Sequence, residues 1–214
     1  MMQRKRVTPY DPVKRFADVV VATIGLIVLS PVLLVVAVLV RTQLGSPVIF
    51  SQDRPGLDGE VFRLRKFRTM KNPDPSRGLV TDADRLTSFG TRLRCSSLDE
   101  LPALFNVIRG DMSIVGPRPL LVQYLERYSP RQSRRHEVRP GITGLAQVNG
   151  RNNLTWEQKF DFDLEYINTR SFPLDLRILG RTVATVLRRS GVAADGHVTT
   201  REFLGSTRGE REER

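Results

Sequence analysis

The chain has 214 residues, enough for one domain with a sizeable hydrophobic core. Its formal net charge of +11 is carried mostly by arginine and favours polyanionic partners such as nucleic acid, anionic lipid or nucleotide phosphates. The one cysteine, Cys95, excludes a disulfide within the chain and suits a reducing compartment. No secretory signal is expected, because no small-residue cleavage site follows the apolar run near the N-terminus.

That apolar run extends from Val19 to Val40 without a charge and is long enough for a membrane helix. Ser30 and Pro31 interrupt it near its midpoint, where proline bends a helix and leaves a carbonyl unpaired that the serine hydroxyl could bind. Basic residues flank both ends, so the positive-inside rule places both ends in the cytoplasm. We predict a membrane-embedded, re-entrant helix–break–helix segment; a kinked helix that crosses the bilayer is the alternative.

The segment from Pro47 to Met70 predicts a β-hairpin, with strands at 48–50 and 61–67 joined by a turn at 55–59. A cationic cluster that includes Lys66 and Arg68 ends the second strand, and a solvated strand face is the alternative interpretation. The next residues, 72–84, are rich in Pro, Asp, Ser and Gly and predict a loop.

The adjacent carboxylates Asp99 and Glu100 stand shortly before Pro102. Because proline fits a helix only in its first turn, we predict a helix that begins near Leu98 or Asp99 and places both acids at its N-terminus, where phosphates also bind. A capping box formed by Ser97 and Glu100 is the competing interpretation. The predicted inward stripe, ended by Gly110, comprises Leu101, Leu104, Phe105 and Ile108.

An arginine that suits phosphate binding follows this segment. Arg118 stands between Pro117 and Pro119, and each proline fixes its own φ angle and restricts the residue before it. The backbone at Arg118 is therefore rigid, and a guanidinium held in this way can bind two oxygens of one phosphate. Arg94 is close enough in sequence to serve the same site, and a tight turn at 149–152 presents Arg151. Carboxylates near a fixed arginine indicate phosphoryl chemistry.

Two more helices are predicted towards the C-terminus, after turn-forming residues at 139–144. One face of the first carries Trp156, Phe160, Leu164 and Ile167. The second follows Asp175 and is amphipathic and basic, which suits a lipid headgroup layer; packing into the core is an equal alternative.

The predicted fold is therefore mainly α with a small antiparallel β-hairpin, a re-entrant N-terminal segment and cytosolic amphipathic helices. We expect a basic N-terminus and membrane helix over residues 1–41, a cytosolic catalytic domain over 42–204, and a disordered charged tail over 205–214.

Ordered motifs run through residues 14–203. They are Lys14-Arg15-x-x-Asp18, Ser30-Pro31, Ser46-Pro47-Val48, Gln52-x-Arg54-x-Gly56-x-x-Gly59-x-x-Phe62, Lys66-Phe67-Arg68-Thr69-Met70, Ser97-Leu98-Asp99-Glu100-Leu101-Pro102, Gly110-Asp111-Met112-Ser113, Gly116-Pro117-Arg118-Pro119, Arg139-Pro140-Gly141-Ile142-Thr143-Gly144, Asn149-Gly150-Arg151-Asn152 and Gly196-His197. These motifs resemble those of the polyprenyl-phosphate hexose-1-phosphate transferases, a bacterial sugar transferase family of small monotopic phosphoglycosyl transferases. Ala103, Leu145 and Phe172-Pro173 depart from the family pattern, which bears on sugar preference or membrane packing rather than on the reaction.

The resemblance implies transfer of a sugar-1-phosphate from a UDP-sugar to polyprenyl (undecaprenyl) phosphate, with release of UMP, at the cytoplasmic face of the inner membrane. It would be the first membrane step of glycan assembly. Asp99 would attack the sugar-bearing phosphorus and form a covalent intermediate. Glu100 would be a metal ligand or base, with Mg²⁺ held by both acids and Asp175 as a further candidate ligand. Phosphate contacts are expected, in falling order, from Arg118, Arg94, Arg151, Lys66 and Arg68.

Two non-catalytic classes are the alternatives: a membrane-tethered basic module that binds nucleic acid, and a scaffold for other glycan-assembly proteins. Nucleic acid is not an expected partner, because no recognisable reading motif is present and the arginines are dispersed among acidic residues. The expected partners are a UDP-sugar, the lipid phosphate and the membrane. The sequence leaves open which sugar is transferred and whether the chain forms a homo-oligomer.

Overall fold

The computed structural model describes residues 8–150, 153–188 and 202–205, and this part of the chain is mainly helical with two small sheets. The α-helices are α1 (Tyr10–Val28), α2 (Ser30–Leu44), α3 (Asp82–Arg85), α4 (Ser88–Cys95), α5 (Ala103–Arg109), α6 (Pro130–Ser133), α7 (Leu145–Val148), α8 (Trp156–Thr169) and α9 (Phe172–Arg188). The strands are β1 (Ile49–Pro55), β2 (Val61–Phe67), β3 (Ser113–Val115) and β4 (Gly141–Thr143). The predicted mainly helical class with an antiparallel hairpin is confirmed.

Helices α1 and α2 form a bent pair where Ser30 and Pro31 predict it. The two axes differ in direction by 64°, and the Ser30 hydroxyl donates a hydrogen bond to the Ile27 carbonyl across 2.8 Å. No single helix in the described ranges has the length and apolar composition to cross a membrane, although the bent pair has them together. The outer face of the pair is apolar and exposed; Phe16 is 74% and Leu34 67% accessible.

Polar contacts fix α1 to the middle of the chain. The buried Asp18 carboxylate accepts hydrogen bonds from the Ser113 hydroxyl (2.7 Å) and the Ile114 N–H (3.1 Å). Arg15 donates to the carbonyls of Val107 and Ile108 in the last turn of α5, at 2.6 and 2.9 Å. Because the last carbonyls of a helix have no partner within it, this arginine both caps α5 and fixes its position against α1.

The predicted hairpin forms, with Ile49 opposite Phe67 and Pro55 opposite Val61. Strand β2 has the predicted bounds, but β1 continues to Pro55, well beyond the predicted end of the first strand at residue 50, because its backbone pairs with the whole of β2. Alternation along β2 places Leu64 on the buried face and Arg63, 72% exposed at its side chain, on the other. The turn between the strands contains the 3₁₀ segment Leu57–Gly59.

Asn106 of α5 connects the hairpin to the rest of the core. Its side-chain amide donates to the Arg63 carbonyl and to the Asp111 carboxylate, both at 2.9 Å, and accepts from the Arg65 N–H at 3.1 Å. The residue is only 1% exposed, so these bonds replace water for two backbone groups of β2.

The segment that carries the acid pair differs from the predicted helix. Asp99 lies in a 3₁₀ turn, Leu98–Glu100, and α5 begins only at Ala103, after Pro102. Ser97 adopts a left-handed conformation (φ 57°) and makes no side-chain cap, so the capping box is absent. The predicted inward stripe is also partly wrong, since α5 buries Val107 and exposes Phe105 (47%). Gly110 ends the helix at φ 97°, as predicted.

A second sheet was not predicted. Strands β3 and β4 pair in parallel, with Ser113 opposite Gly141 and Val115 opposite Thr143, so residues 141–143 are a strand rather than part of a turn. The two backbones approach closely: a Cβ at Gly141 would lie 2.1 Å from the Gly116 nitrogen. The predicted loop at 72–84 is also partly helical, with the 3₁₀ turn Pro75–Arg77 and the start of α3.

The C-terminal helices follow the prediction in part. Helix α8 buries Phe160, Leu164 and Ile167, as expected. In α9 the core residue is Ile178 (0% exposed) and Leu179 packs beside it, whereas Leu176 and Val183 are more than half exposed. The apolar side chains of α9 therefore divide between the core and the surface. Apart from Gly205, the predicted disordered tail lies outside the described residues.

We expect Asn106→Ala to lower the free energy of unfolding by about 2–3 kcal/mol, because it leaves two backbone groups of β2 without partners. Chemical denaturation in detergent would measure this. Arg109→Ala, at a side chain on the same helix that is 62% exposed, is the matched control and should change stability little. Equal stability of the two variants would contradict this role for Asn106.

Candidate active site

The acid pair occupies the short link between α4 and α5. The 3₁₀ turn is closed by a hydrogen bond from the Glu100 N–H to the Ser97 carbonyl (3.2 Å). Successive residues of a 3₁₀ turn point about a third of a turn apart, so Asp99 and Glu100 face different surroundings. Asp99 is 8% exposed, and both acids are brought together with basic residues from other segments.

Glu100 joins two of the predicted cations. Its Oε1 accepts hydrogen bonds from Lys66 Nζ at 2.6 Å and from an Nη of Arg118 at 2.9 Å. Burial alone would raise the pKa of the Glu100 carboxyl, but the charges of Arg118 and Lys66 hold it well below its ordinary value. Glu100 is therefore ionised at neutral pH, and its charge in turn raises the pKa of Arg118. Strand β2 supplies Lys66, and the segment after β3 supplies Arg118.

Asp99 is in a different electrostatic state. Burial, followed by the negative charge of Glu100, raises the pKa of its carboxyl to about 6, against the opposing pull of Lys66, Arg118 and Arg94. No hydrogen bond from another described residue reaches its carboxylate oxygens. A carboxylate with raised basicity that is still mostly ionised at neutral pH is suited to act as a nucleophile.

Arg94 reaches the site from α4. Its Nε donates to the Thr69 hydroxyl at 3.0 Å, which fixes the guanidinium just beyond the end of β2. Burial lowers the pKa of Arg94, and the charge of Asp99 opposes that shift. The prediction that Arg94, Arg118 and Lys66 gather around the acid pair is consistent with this geometry.

A cleft beside Glu100 contains one cation that sequence reasoning missed. Arg54 of β1 lines it together with Lys66 and Arg118, and apolar residues that include Leu64 complete the lining. The pairing of the hairpin strands could have predicted this position of Arg54. Arg54 is opposite Phe62, and residues two and four positions further along β2, Leu64 and Lys66, share that face of the sheet.

Arg68 and Asp175 lie outside the site. The buried Arg68 guanidinium donates to the Ser46 carbonyl (2.9 Å) and to the Asn72 side chain (2.6 Å), because β2 ends at Phe67 and the chain then turns towards the connection after α2. It stabilises a loop and makes no contact with either acid, so its prediction as a phosphate ligand is not supported.

Asp175 is a structural residue of the helix packing. It lies in the first turn of α9, not before the helix as predicted, and its carboxylate accepts from the hydroxyls of Tyr10 (2.7 Å) and Tyr166 (2.8 Å) and from Lys14 (2.6 Å). Its oxygens are thus occupied by α1 and α8 rather than by a metal site. The remaining candidate, Arg151, and the motif residue His197 lie outside the described residues.

The acids available for a metal are few. Within the described ranges, no group of three or more His, Cys, Asp or Glu side chains could hold an ion. Asp99 and Glu100 alone would offer carboxylate oxygens. Such a pair suits Mg²⁺, which is commonly held by one or two carboxylates and completed by substrate phosphates and water.

Comparison with known proteins identifies relatives over most of the chain. The family described as "Bacterial sugar transferase" matches residues 9–189. "Uncharacterized sugar transferase EpsL" of Bacillus subtilis (strain 168) is 50% identical over 194 residues, which are 90% of this chain and 96% of that protein. "Exopolysaccharide production protein ExoY" of Sinorhizobium fredii (strain NBRC 101917 / NGR234) is 38% identical over 196 residues, covering 83% of this chain and 87% of the relative.

Larger proteins match as well. "UDP-glucose:undecaprenyl-phosphate glucose-1-phosphate transferase" of Klebsiella pneumoniae is 44% identical over 181 residues, which cover 79% of this chain but only 39% of that protein. The chain therefore spans about two fifths of the length of this larger relative. Since the family match covers most of the sequence and relatives above 30% identity span nearly all of it, the chain belongs to the bacterial sugar transferase family.

Proposed function

We propose that this chain transfers a sugar-1-phosphate from a UDP-sugar to a polyprenyl phosphate, giving polyprenyl-diphosphate-sugar and UMP. The observation that carries the proposal is the acid pair in which Glu100 is ion-paired to Lys66 and Arg118, while the Asp99 carboxylate has a raised pKa and accepts no hydrogen bond from another described residue. The relatives support it, since several carry names that specify transfer of glucose-1-phosphate to undecaprenyl phosphate. A non-catalytic scaffold would have no use for this buried arrangement.

The reaction proceeds in two displacements at the same phosphorus. In the first, an oxygen of Asp99 attacks the sugar-bearing phosphorus, and the bond to the bridging oxygen breaks with its electron pair leaving on UMP. In the second, an oxygen of the lipid phosphate attacks the sugar-phosphoryl aspartate, and the bond to Asp99 breaks to regenerate the carboxylate. Covalent catalysis divides one difficult transfer into two easier steps.

The basic residues make the approach of two anions feasible. Lys66, Arg118 and Arg94 place positive charge where the phosphoryl oxygens gain charge, in a partly buried site where such interactions are strengthened. Glu100 keeps Lys66 and Arg118 in position. Mg²⁺ fits this donor set, held by Asp99 and Glu100, and would supply further charge neutralisation on the diphosphate.

We infer that the helix pair α1–α2 anchors the site in the membrane as a re-entrant hook, and that Leu176 and Val183 of α9 lie in the headgroup layer. The exposure of the apolar side chains on these helices supports this arrangement. Arg15 and Asp18 connect the hook to α5 and β3, so the acid pair is held at the level where a lipid phosphate meets a soluble nucleotide. Both ends of the hook lie on the cytoplasmic side of the inner membrane, and the reaction begins glycan assembly there.

Asp99→Asn should abolish UMP release and lipid-linked product while leaving membrane association intact, because the amide cannot form the phosphoryl intermediate. Purified protein would be assayed with polyprenyl phosphate and with UDP-glucose and UDP-galactose in turn. Asp53→Asn removes a 63% exposed carboxylate on the hairpin and should keep wild-type activity. Substantial turnover by Asp99→Asn would exclude it as the nucleophile.

The rate of the first step should fall as the pH drops through about 6, because Asp99 must be ionised to attack and burial raises its pKa to that value. Arg94→Gln removes a charge that lowers this pKa, so the acidic limb should move to higher pH. A pH profile of UMP release would show both effects. Arg92→Gln, at an exposed position of α4, is the control; an unmoved limb in Arg94→Gln would contradict the assignment.

Single cysteines should show both ends of the hook on one side of the membrane. In a Cys95→Ser background, Val13→Cys and Gln43→Cys mark exposed positions near the start of α1 and the end of α2. An impermeant maleimide should label neither in spheroplasts and both in inside-out vesicles. Labelling of Val13→Cys alone in spheroplasts would instead indicate a kinked helix that crosses the bilayer.

A further inference from the structure

Arg54 is a charged residue of the cleft to which the proposed mechanism gives no role. It lies at the end of β1 and lines the cleft together with Lys66, Glu100 and Arg118. One Nη donates to the Gln52 side-chain oxygen at 2.6 Å, and the other makes a long contact of 3.3 Å with the Pro119 carbonyl. Both acceptors are neutral, so these bonds orient the guanidinium without balancing its charge.

Among the described residues, no carboxylate lies within ion-pair distance of Arg54, whereas Lys66 and Arg118 share Glu100, whose charge acts on Arg54 only from farther away. The Arg54 Nε is buried and has no hydrogen-bond partner in the described part of the chain. Burial and the nearby charge of Arg118 lower the pKa of Arg54 to about 10, so it still carries a proton at neutral pH. A half-buried cation beside a second cation is unfavourable unless an anion binds between them.

The geometry also indicates what kind of anion would bind. Among the described residues, Arg54 joins Arg94, Arg118 and Lys66 near the two carboxylates, so these side chains together carry a surplus of positive charge. The N–H groups of a guanidinium form a planar fork that matches two oxygens of one phosphate, and each Nη of Arg54 has a second N–H besides the one it donates to Gln52 or Pro119.

We propose that Arg54 is a further phosphate-binding residue of this site and contacts a substrate phosphate group together with Arg118. The inference rests on the proposed function. The phosphate can come from the diphosphate of the nucleotide sugar or from the lipid acceptor, and the two half-reactions separate these sources. The competing role is structural, because the same side chain holds Gln52 and the Pro119 carbonyl.

The test compares Arg54→Gln with Arg54→Lys, which keeps the charge but loses the fork, and with Arg63→Gln as matched control. Arg63 lies on the partner strand of the same hairpin, with its side chain 72% exposed. Three quantities are measured on each detergent-purified protein: the dissociation constant for UDP by calorimetry, the single-turnover release of UMP without lipid, and KM for polyprenyl phosphate. A thermal melt of each variant reports its folding.

For a contact with the nucleotide diphosphate, we expect Arg54→Gln to weaken UDP binding and slow the UMP burst by about 10- to 100-fold. For a contact with the lipid phosphate, we expect the single-turnover release of UMP to be unchanged and KM for polyprenyl phosphate to rise by a similar factor. In both cases Arg54→Lys recovers part of the loss, Arg63→Gln behaves as wild type, and the melting temperature of Arg54→Gln stays within a few degrees of it.

Two results would overturn the inference. One is that Arg54→Gln matches Arg63→Gln in all three quantities. The other is that Arg54→Gln and Arg54→Lys both lower the melting temperature and the activity, while the folded fraction of Arg54→Lys binds UDP with wild-type affinity. That result would assign Arg54 a structural role. If the wild-type protein binds UDP but releases no UMP, the proposed transfer fails, and the affinities of the variants for UDP and for polyprenyl phosphate, measured by binding, still decide the role of Arg54.

Discussion

The ion pairs of the Glu100 carboxylate with Lys66 and Arg118 are the interaction on which the rest of the site depends. Two adjacent carboxyl groups in a half-buried turn would resist ionising together, because desolvation and mutual repulsion both favour protonation. The two cations lower the pKa of Glu100, so Glu100 stays ionised, and the cost of burial and repulsion appears as the raised pKa of Asp99. The pair is thereby divided into a permanently charged residue that orients its neighbours and a more basic one that is free to react.

These ion pairs also hold three distant parts of the chain together. The hairpin brings Lys66, the 3₁₀ turn brings Glu100, and the segment that follows β3 brings Arg118. Two of these segments have their own support: Asn106 binds the hairpin to α5, and the pairing of β3 with β4 holds the segment before Arg118. The salt bridges are thus formed between elements that are already positioned, which limits the entropy lost in making them.

Local patterns in the sequence predicted what short-range physics determines. Ser30 and Pro31 predicted the bend, the turn residues predicted the hairpin, and the motifs predicted that Arg118 lies near the acid pair, where it contacts Glu100. The errors came from interactions between distant segments. The strands of the β3–β4 sheet are only three residues long, so their pairing is visible only in three dimensions. The partners of the Arg68 side chain depend on where β2 ends, and those of the Asp175 side chain depend on which helices pack beside α9. Arg54 was not predicted as a site residue, because its position beside Lys66 depends on how the residues of β1 pair with those of β2.

The close approach of β3 and β4 sets a limit on how this protein can diverge. A methyl group at Gly116 would lie 2.5 Å from the Arg139 carbonyl oxygen, and one at Gly144 would lie 2.1 Å from the oxygen of Gly116. Even alanine, one nucleotide away from glycine in the genetic code, would force the two strands apart. Laboratory evolution towards another sugar should therefore vary the surrounding walls freely while these glycines stay fixed across every surviving clone.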